Sequence, residues 1–236
     1  MYLGFMALFS IVCIAVMPFF LLEQRKPSNR SLLLKMICAS MFVLCGAFAI
    51  AHTGETAYGG YMMLGLVFSW FGDLFLHIFG KARKIVFPIG ILSFLVAHVM
   101  YLFAYDTERR VLRPDAPLLE RWELLPILAG MAVYLLIIIA LKTKLSVLMI
   151  PLSVYIFFLF LMCTRALTLA SHIAGESLFA AILLGTGAVF FLLSDTSLGL
   201  LMFNKKCKAS FPLKIFNIAT YFIGQLMLAA TILFIA

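Results

Sequence analysis

Eight apolar stretches occupy most of the sequence, and they limit the folds that this chain can adopt. A transmembrane helix needs about 20 mostly apolar residues, and each stretch comes close to that length. Hydrophobic residues make up 65% of the 236 residues and charged residues 12%, whereas soluble domains carry about 25% charged residues. The sequence therefore predicts an all-α integral membrane protein with eight transmembrane helices, at about residues 2–22, 32–51, 58–79, 85–104, 124–141, 146–168, 177–203 and 212–235.

The basic residues predict how these helices are oriented. Most of the 18 Lys and Arg residues fall in four alternate connections, which the positive-inside rule places in the cytoplasm. We therefore expect both termini on the non-cytoplasmic side, and we interpret the net charge of +8 as a topology signal rather than as a site for nucleic acid. The longest loop, about 105–123, is too short to fold alone. The sequence predicts one transmembrane bundle over residues 1–236, in the plasma membrane or a bacterial inner membrane, in contact with membrane lipids, and leaves the oligomeric state open.

Two aspartates lie inside predicted membrane helices. Asp73 lies within the apolar run 68–76, and Asp195 lies within a similar run, 190–198. In both runs a Phe stands five residues before the Asp, a small residue directly precedes it, and a Leu follows three residues later. An Asp in hydrocarbon costs about 2.5–3.5 kcal/mol on insertion scales, so such residues usually face a protein interior and mark functional sites. We therefore take both aspartates as candidate catalytic residues.

The similarity of the two aspartate runs indicates an internal repeat. Phe94 and His98 of the fourth span have the same spacing as Tyr221 and Gln225 of the eighth. Each half would contain four spans, so both halves would cross the membrane in the same direction, as parallel repeats do. Both aspartates would then lie roughly 10–12 Å above the inner boundary, from a rise of 1.5 Å per residue. The predicted halves are residues 1–104 and 124–236.

Further polar residues lie on the same predicted helices. Ser69 and His77 flank Asp73 at intervals of four residues, so the three side chains share one helix face. His98 and Tyr101 share a face of the fourth span, and both can hydrogen-bond a polar ligand. Tyr155 lies on the sixth span. Near the outer end of that span, Arg165 is expected to extend its side chain to the membrane surface.

Several kinds of site are disfavoured by the sequence. The four His residues are widely spaced and no HExxH motif occurs, so neither a metal nor another cofactor is expected. The five Cys residues are scattered and fit buried packing positions. A Gly-x-Ser-x-Gly elbow is absent, which disfavours an ordinary serine esterase.

Taken together, these fragments resemble the YhhN family of eight-span membrane proteins, the lysoplasmalogenases. The residues that carry the resemblance are Phe68, Gly72, Asp73 and Leu76; Phe94, His98 and Tyr101; Tyr155 and Met162; Phe190, Ser194, Asp195 and Leu198; and Tyr221 and Gln225. Members with an assigned activity hydrolyse the vinyl ether bond of lysoplasmalogens, releasing a fatty aldehyde and a glycerophospho-ethanolamine or -choline. The resemblance implies catalytic roles for Asp73 and Asp195. It implies that His98, Tyr101, Tyr155 and Gln225 line the site for a lysophospholipid substrate.

The resemblance carries nothing over to His77 or Arg165. Ser69 and His77 are candidate substrate-binding residues only because they share a helix face with Asp73. Their assignment is therefore a hypothesis that comes from helical spacing.

Hydrolysis of a vinyl ether suits a pair of carboxyl groups. The reaction begins with protonation of an alkene carbon, which gives an oxocarbenium ion that water traps as a hemiacetal. Two neighbouring carboxylates in a low-dielectric site tend to share one proton. One Asp can then protonate the alkene while the other stabilises the cation and orients water, as in glycosidases. The sequence does not indicate which Asp is the acid.

Other functions remain open at this stage. Membrane carboxylates and internal repeats are also typical of proton-coupled transporters and lipid-binding membrane proteins, and the same acid mechanism could serve a different lipid. An intramembrane aspartic protease also places two Asp residues on neighbouring spans. Its Tyr-Asp, Gly-x-Gly-Asp and Pro-Ala-Leu motifs are absent, and the nearest segments are Phe-Gly-Asp at 71–73, Leu-Ser-Asp at 193–195 and Phe-Pro-Leu at 211–213.

Overall fold

The chain folds into a bundle of α-helices. The computed structural model describes residues 2–23, 28–78, 83–140, 149–204 and 207–235. The described residues contain no strand, which confirms the all-helical prediction. They form the helices α1 (Tyr2–Glu23), α2 (Asn29–Thr53), α3 (Ala57–His77), α4 (Arg83–Leu112), α5 (Leu124–Ala140), α6 (Met149–Ile173), α7 (Leu178–Phe203) and α8 (Phe211–Ile235), with a 3-10 turn at Arg121–Glu123.

Seven of the described helices are long and apolar enough to cross a membrane, so the protein is a multi-pass integral membrane protein. The exception is α5, which has 17 described residues. At 1.5 Å per residue it is about 25 Å long, against a hydrocarbon core of about 30 Å. The eighth span and the position of both termini stay predictions. The predicted span ends at 79, 141 and 146, and the basic residues Arg25, Lys26, Lys81, Lys142, Lys144, Lys205 and Lys206, lie outside the described residues.

Short polar side chains begin several of these helices. The hydroxyl groups of Ser28, Thr56 and Ser177 accept hydrogen bonds from backbone N–H groups in the first turns of α2, α3 and α7. Such capping satisfies donors that have no partner inside the helix. The predicted fourth span ends near residue 104, but α4 continues to Leu112.

The extension of α4 is explained by charges on its last turns. Asp106 accepts hydrogen bonds from Arg109 at 2.9 Å and from Arg110 at 2.6 Å. These pairs are three and four residues apart, which is the spacing at which side chains on a helix meet. The ion pairs therefore support helical turns that are too polar to be recognised as a membrane span.

The helices pair in a pattern that has the form of the predicted repeat. The most extensive contacts join α3 to α4 and α7 to α8. Between the two halves, α2 packs on α8 and α4 packs on α6. In the predicted repeat α2 corresponds to α6 and α8 corresponds to α4, so these two contacts are equivalent. The repeat itself, residues 1–104 and 124–236, stays a prediction.

Two glycines allow α7 and α8 to approach closely. A Cβ atom added to Gly224 would lie 3.0 Å from the carbonyl oxygen of Gly187, and one added to Gly187 would lie 3.2 Å from the carbonyl oxygen of Gly224. Small residues at such crossings let helix backbones touch. The close contact brings Phe191 of α7 and Tyr221 of α8 together, with ring centroids 5.8 Å apart.

The structure corrects the expectation for Arg165. Its side chain does not extend to the membrane surface, because the residue is only 5% exposed. The Nε atom lies 3.2 Å from Oε1 of Glu123, and a terminal nitrogen donates to the carbonyl oxygen of Leu118. The same Oε1 accepts a hydrogen bond from Thr168 at 2.6 Å. The loop between α4 and α5 thus folds onto α6 and supplies the partners of this arginine.

Replacement of Arg165 by Met is expected to lower the free energy of unfolding by about 3–5 kcal/mol, because a buried charge that loses its partner is strongly destabilising. The charge left behind would be that of Glu123, which is fully buried. Thermal and denaturant unfolding of the purified protein in detergent measures the effect. The matched control is Arg110→Met, whose side chain is 58% exposed and whose ion pair is worth about 1 kcal/mol or less. Equal losses in the two variants would contradict the prediction.

Candidate active site

Asp73 lies inside the bundle with a partner on each carboxylate oxygen. The Nζ atom of Lys35, on α2, is 2.9 Å from Oδ1, and the hydroxyl of Tyr221, on α8, donates to Oδ2 at 2.7 Å. Lys35 also donates to the backbone carbonyl of Asp73 at 3.3 Å. Asp73 itself is 2% exposed. Two neighbouring helices therefore hold this carboxyl group by one charged and one neutral donor.

Asp195 has a different set of partners. The hydroxyl of Tyr155, on α6, donates a hydrogen bond to Oδ2. The Nε2 atom of His98, on α4, lies 3.6 Å from the same oxygen, which is beyond hydrogen-bond distance. The side chain of Asp195 is almost fully buried. This carboxyl group is therefore held by a phenol beside an imidazole.

An aromatic cluster connects the surroundings of the two aspartates. It consists of Phe94, His98, Phe191 and Tyr221. The ring of Phe191 is 5.2 Å from that of His98, and the ring of Phe94 is 6.0 Å from that of Tyr221. Such packing keeps the site poor in water, and electrostatic interactions and hydrogen bonds are stronger in a low dielectric.

Several buried polar atoms beside the aspartates have no hydrogen-bond partner in the described residues. They are Oγ of Ser69, both ring nitrogens of His98 and Nε2 of Gln225. The other amide atom, Oε1 of Gln225, accepts a hydrogen bond from Tyr101 at 2.8 Å. Because most buried polar atoms in proteins are hydrogen-bonded, these atoms are candidates to bind a polar ligand group or water.

The contacts of His77 are with residues other than the two aspartates. Its Nε2 atom is 2.8 Å from Oγ of Ser31, and its ring lies 5.9 Å from that of Phe20. Its partners are thus near the start of α2 and on α1, rather than at either aspartate. Binding of substrate by His77 stays a prediction.

Depth along the helices differs from the sequence-based expectation. Asp73 is four residues from the end of α3, which ends at His77, and Asp195 is eight residues from the end of α7. At 1.5 Å per residue these distances are roughly 6 and 12 Å. The extended backbone of Ile78 ends α3 before residue 79, so the two aspartates are not equivalent when measured from their helix ends.

Sequence reasoning missed Lys35 and did not recognise the role of Tyr221. The charge pattern assigns Lys35 to the basic residues that set topology, although it lies within the predicted span 32–51. A lysine inside an apolar span is as unusual as an aspartate, and this signal could have identified it. The sequence singles out Tyr221 only by its spacing to Gln225. Its contact with Asp73 joins residues that are 148 positions apart, which no local pattern reveals.

Comparison with known proteins identifies the family of this chain. A model of the YhhN family matches residues 30–232. The chain belongs to the YhhN family. The human protein named lysoplasmalogenase TMEM86A is 28% identical to it over 216 residues, which cover 88% of this chain and 80% of the human protein. No solved structure matches the chain. The family that the sequence motifs indicated is therefore confirmed.

The polar groups of this YhhN-family protein suit proton transfer. Within the described residues, no three His, Cys, Asp or Glu side chains converge as the ligands of a metal ion would. The partners of the two aspartates are an ammonium group, two phenols and an imidazole. Carboxyl groups surrounded by such donors can donate or accept a proton and can stabilise a positive charge.

Gly72 determines how Asp73 fits against α4. A Cβ atom added to Gly72 would lie 2.5 Å from the ring of Phe94, which is far too close for van der Waals contact. We expect Gly72→Ala to lower the free energy of unfolding by about 1–3 kcal/mol, the usual cost of overpacking a core. Thermal unfolding measures this, with Gly60→Ala on the same helix as the control, since a Cβ there meets nothing within 4 Å. An unchanged Gly72→Ala variant would contradict the prediction.

Proposed function

We propose that this protein is a membrane-embedded hydrolase that cleaves the vinyl ether bond of lysoplasmalogens. The substrates would be alkenyl-glycerophosphoethanolamine or -choline, and the products a fatty aldehyde and the glycerophospho-base. One observation carries the proposal: two aspartates with buried side chains, each hydrogen-bonded to a tyrosine, flank one aromatic cluster. The family and the name of the human relative support the same substrate class.

The first step is transfer of a proton from one carboxyl group to carbon. The electron pair of the double bond forms the new C–H bond at the alkene carbon remote from oxygen. The ether oxygen then shares its electrons with the adjacent carbon, which gives an oxocarbenium ion. Positioned acids of this kind typically contribute 10²–10⁴-fold to a rate.

The remaining steps use the two carboxyl groups in turn. Water adds to the oxocarbenium carbon and gives one proton to the carboxylate that was ionised at the start, which produces a hemiacetal. That carboxyl group then returns its proton to the glycerol oxygen as the C–O bond breaks. The other carboxylate takes the proton of the hemiacetal hydroxyl. One water is consumed, an aldehyde leaves, and both carboxyl groups regain their initial states.

The surroundings of the aspartates suit the charged intermediate. Aromatic faces attract cations, and the rings of Phe94, Phe191 and Tyr221 lie together. Tyr221 contacts Asp73, and Phe191 lies 5.2 Å from His98, which neighbours Asp195. The unpartnered nitrogens of His98 and Gln225 are suited to orient the attacking water. Preorganised charges and dipoles aimed at a developing charge are often the largest contribution to catalysis.

The substrate class is tested with matched lipids. Purified protein should release aldehyde from a lysoplasmalogen, but not from the saturated alkyl-ether analogue, which has no alkene carbon to protonate, nor from the acyl analogue. Aldehyde release is measured directly, and release of fatty acid from the acyl lipid is measured in parallel. Turnover of the acyl lipid with none of the vinyl ether would overturn the proposal.

The roles of the carboxyl groups are tested by amide substitution. Asp73→Asn and Asp195→Asn should each lower the rate of aldehyde release by at least about 10²-fold, because an amide can neither give nor accept the proton. Asp115→Asn is the matched control, since Asp115 is exposed in the loop after α4. Unfolding temperatures show whether each variant is folded. Full activity in either site variant would exclude a carboxyl-pair mechanism.

A further inference from the structure

Lys35 makes the two aspartates chemically different. Its ammonium group contacts Asp73 twice, at Oδ1 and at the backbone carbonyl. With Tyr221 donating to Oδ2, both carboxylate oxygens of Asp73 act as acceptors. Charged pairs interact strongly in a low dielectric, and a proton on this carboxyl group would remove that attraction. Asp73 is therefore held as the charged carboxylate.

Asp195 has no such charge beside it. None of the described lysines or arginines forms an ion pair with its carboxyl group. His98 is fully buried and neither ring nitrogen has a hydrogen-bond partner. Its Nε2 atom lies 3.6 Å from Oδ2 of Asp195, which is too far for a hydrogen bond that would stabilise an imidazolium. Because burial disfavours the charged form of a base, His98 is the neutral imidazole. The surroundings of Asp195 are then neutral and suit a carboxyl group that keeps its proton.

The two aspartates differ in their partners although these partners come from corresponding helices of the predicted repeat. Asp73 takes its partners from α2 and α8, and Asp195 takes its partners from α6 and α4. These helices correspond in the proposed repeat. At corresponding places α2 supplies an ammonium group and α6 supplies a phenol. The packing is alike in form, whereas the charge is not.

From these contacts we infer that Lys35 is a positioning residue that assigns the two roles: Asp73 is the base, and Asp195 is the acid that protonates the alkene. The inference rests on the proposed function. Before reaction, Lys35 and Asp73 neutralise each other and Asp195 is uncharged. After proton transfer, the negative charge on Asp195 balances the oxocarbenium ion. The site therefore stays neutral overall through the first step, which a low-dielectric interior favours.

Protons and charges also balance in the later steps. The added water gives its proton to Asp73, so Asp73 is neutral in the hemiacetal complex while Asp195 is charged. Asp73 then protonates the leaving glycerol oxygen, and Asp195 recovers its proton from the hemiacetal hydroxyl. Lys35 remains charged throughout and exchanges no proton.

The charge of Asp73 depends on few groups. Among the described residues, the side chains that contact the Asp73 carboxyl group are those of Lys35 and Tyr221. Tyr101, Asp195 and Cys13 are further titratable groups that interact with its charge. Lys35 alone among these is a base; the nearby His77 interacts with Lys35 and has Ser31 as its hydrogen-bond partner. Removing its charge should therefore change the protonation of Asp73 more than any other single substitution around it, apart from substitution of Asp73.

The test is the pH dependence of kcat and of kcat/KM for lysoplasmalogen hydrolysis. We compare the wild type with Lys35→Met, Lys35→Gln and Lys35→Arg. Lys35→Met keeps an unbranched side chain that is one atom shorter. Lys35→Gln retains a hydrogen-bond donor and is the second neutral variant if Met is not tolerated. Lys208→Met is the control, since Lys208 is exposed in the turn before α8.

In the neutral variants, kcat should fall about 10²-fold near neutral pH with KM changed less than about 3-fold, since loss of a poised base costs 10²–10⁴-fold. The acidic limb of the kcat/KM profile should move to higher pH, because Asp73 without the ammonium group takes up a proton more readily. The alkaline limb, which reports Asp195, should stay. Lys35→Arg should retain the wild-type acidic limb, and Lys208→Met should match the wild type throughout.

Three results would overturn the inference while leaving the proposed function intact. The acidic limb could stay in place in folded neutral variants, which would make Lys35 structural. The alkaline limb could move instead, which would reverse the roles of the aspartates. KM could rise with kcat unchanged, which would make Lys35 a contact for the phosphate of the substrate. A wild-type protein without activity on any lysoplasmalogen would overturn the proposed function, and the inference with it.

Discussion

The cost of burying charge in a low-dielectric interior explains how this bundle is arranged. Asp73 is compensated by Lys35 and Tyr221, and these partners come from helices distant in sequence. An ammonium group within hydrogen-bond distance of a carboxylate turns two unfavourable burials into one neutral pair. The contacts of α3 with α2 and α8 therefore carry electrostatic compensation as well as apolar packing. The aspartate is accommodated only where those three helices meet.

Close helix packing makes the aromatic site possible. The ring of Tyr101 lies against Gly65, where an added Cβ would be 2.3 Å away, and the ring of Phe94 lies against Gly72 in the same way. Glycines on α3 thus give the space that two rings of α4 fill. Because interiors are packed as densely as organic crystals, one added methyl group must move either a ring or the helix that bears Asp73. The fold and the candidate site therefore share the same contacts.

A second buried ion network stabilises the opposite end of the bundle. Arg109 is fully buried, with its guanidinium donating to the carbonyl of Pro117 at 2.8 Å and to Asp106. Together with the pair of Arg165 and Glu123, it ties the loop after α4 to α6. Some charged residues that the sequence places in a loop, such as Arg109 and Glu123, are therefore buried at this end of the bundle. Buried ion pairs therefore join helices and loops at both ends of a mostly apolar bundle.

The sequence by itself determined the helical membrane fold, the family and the candidate aspartates. These follow from apolar length, from the cost of charge in hydrocarbon and from motifs within single helices, all of which are local properties of the chain. It also indicated His98, Tyr101, Tyr155 and Gln225, which lie in or beside the site that the structure describes. Local spacing did not reveal the surroundings of His77 and Arg165. The partner of His77 is Ser31, and that of Arg165 is Glu123.

Only the tertiary structure decided which partner each aspartate has. Lys35 and Tyr221 reach Asp73 from α2 and α8, whereas Tyr155 reaches Asp195 from α6. A repeat in the sequence predicts that the two aspartates are alike, but the charge state of a carboxyl group depends on the groups within a few ångströms of it. Those groups are brought together by helix packing across the whole chain, so their identity cannot be read from either motif alone.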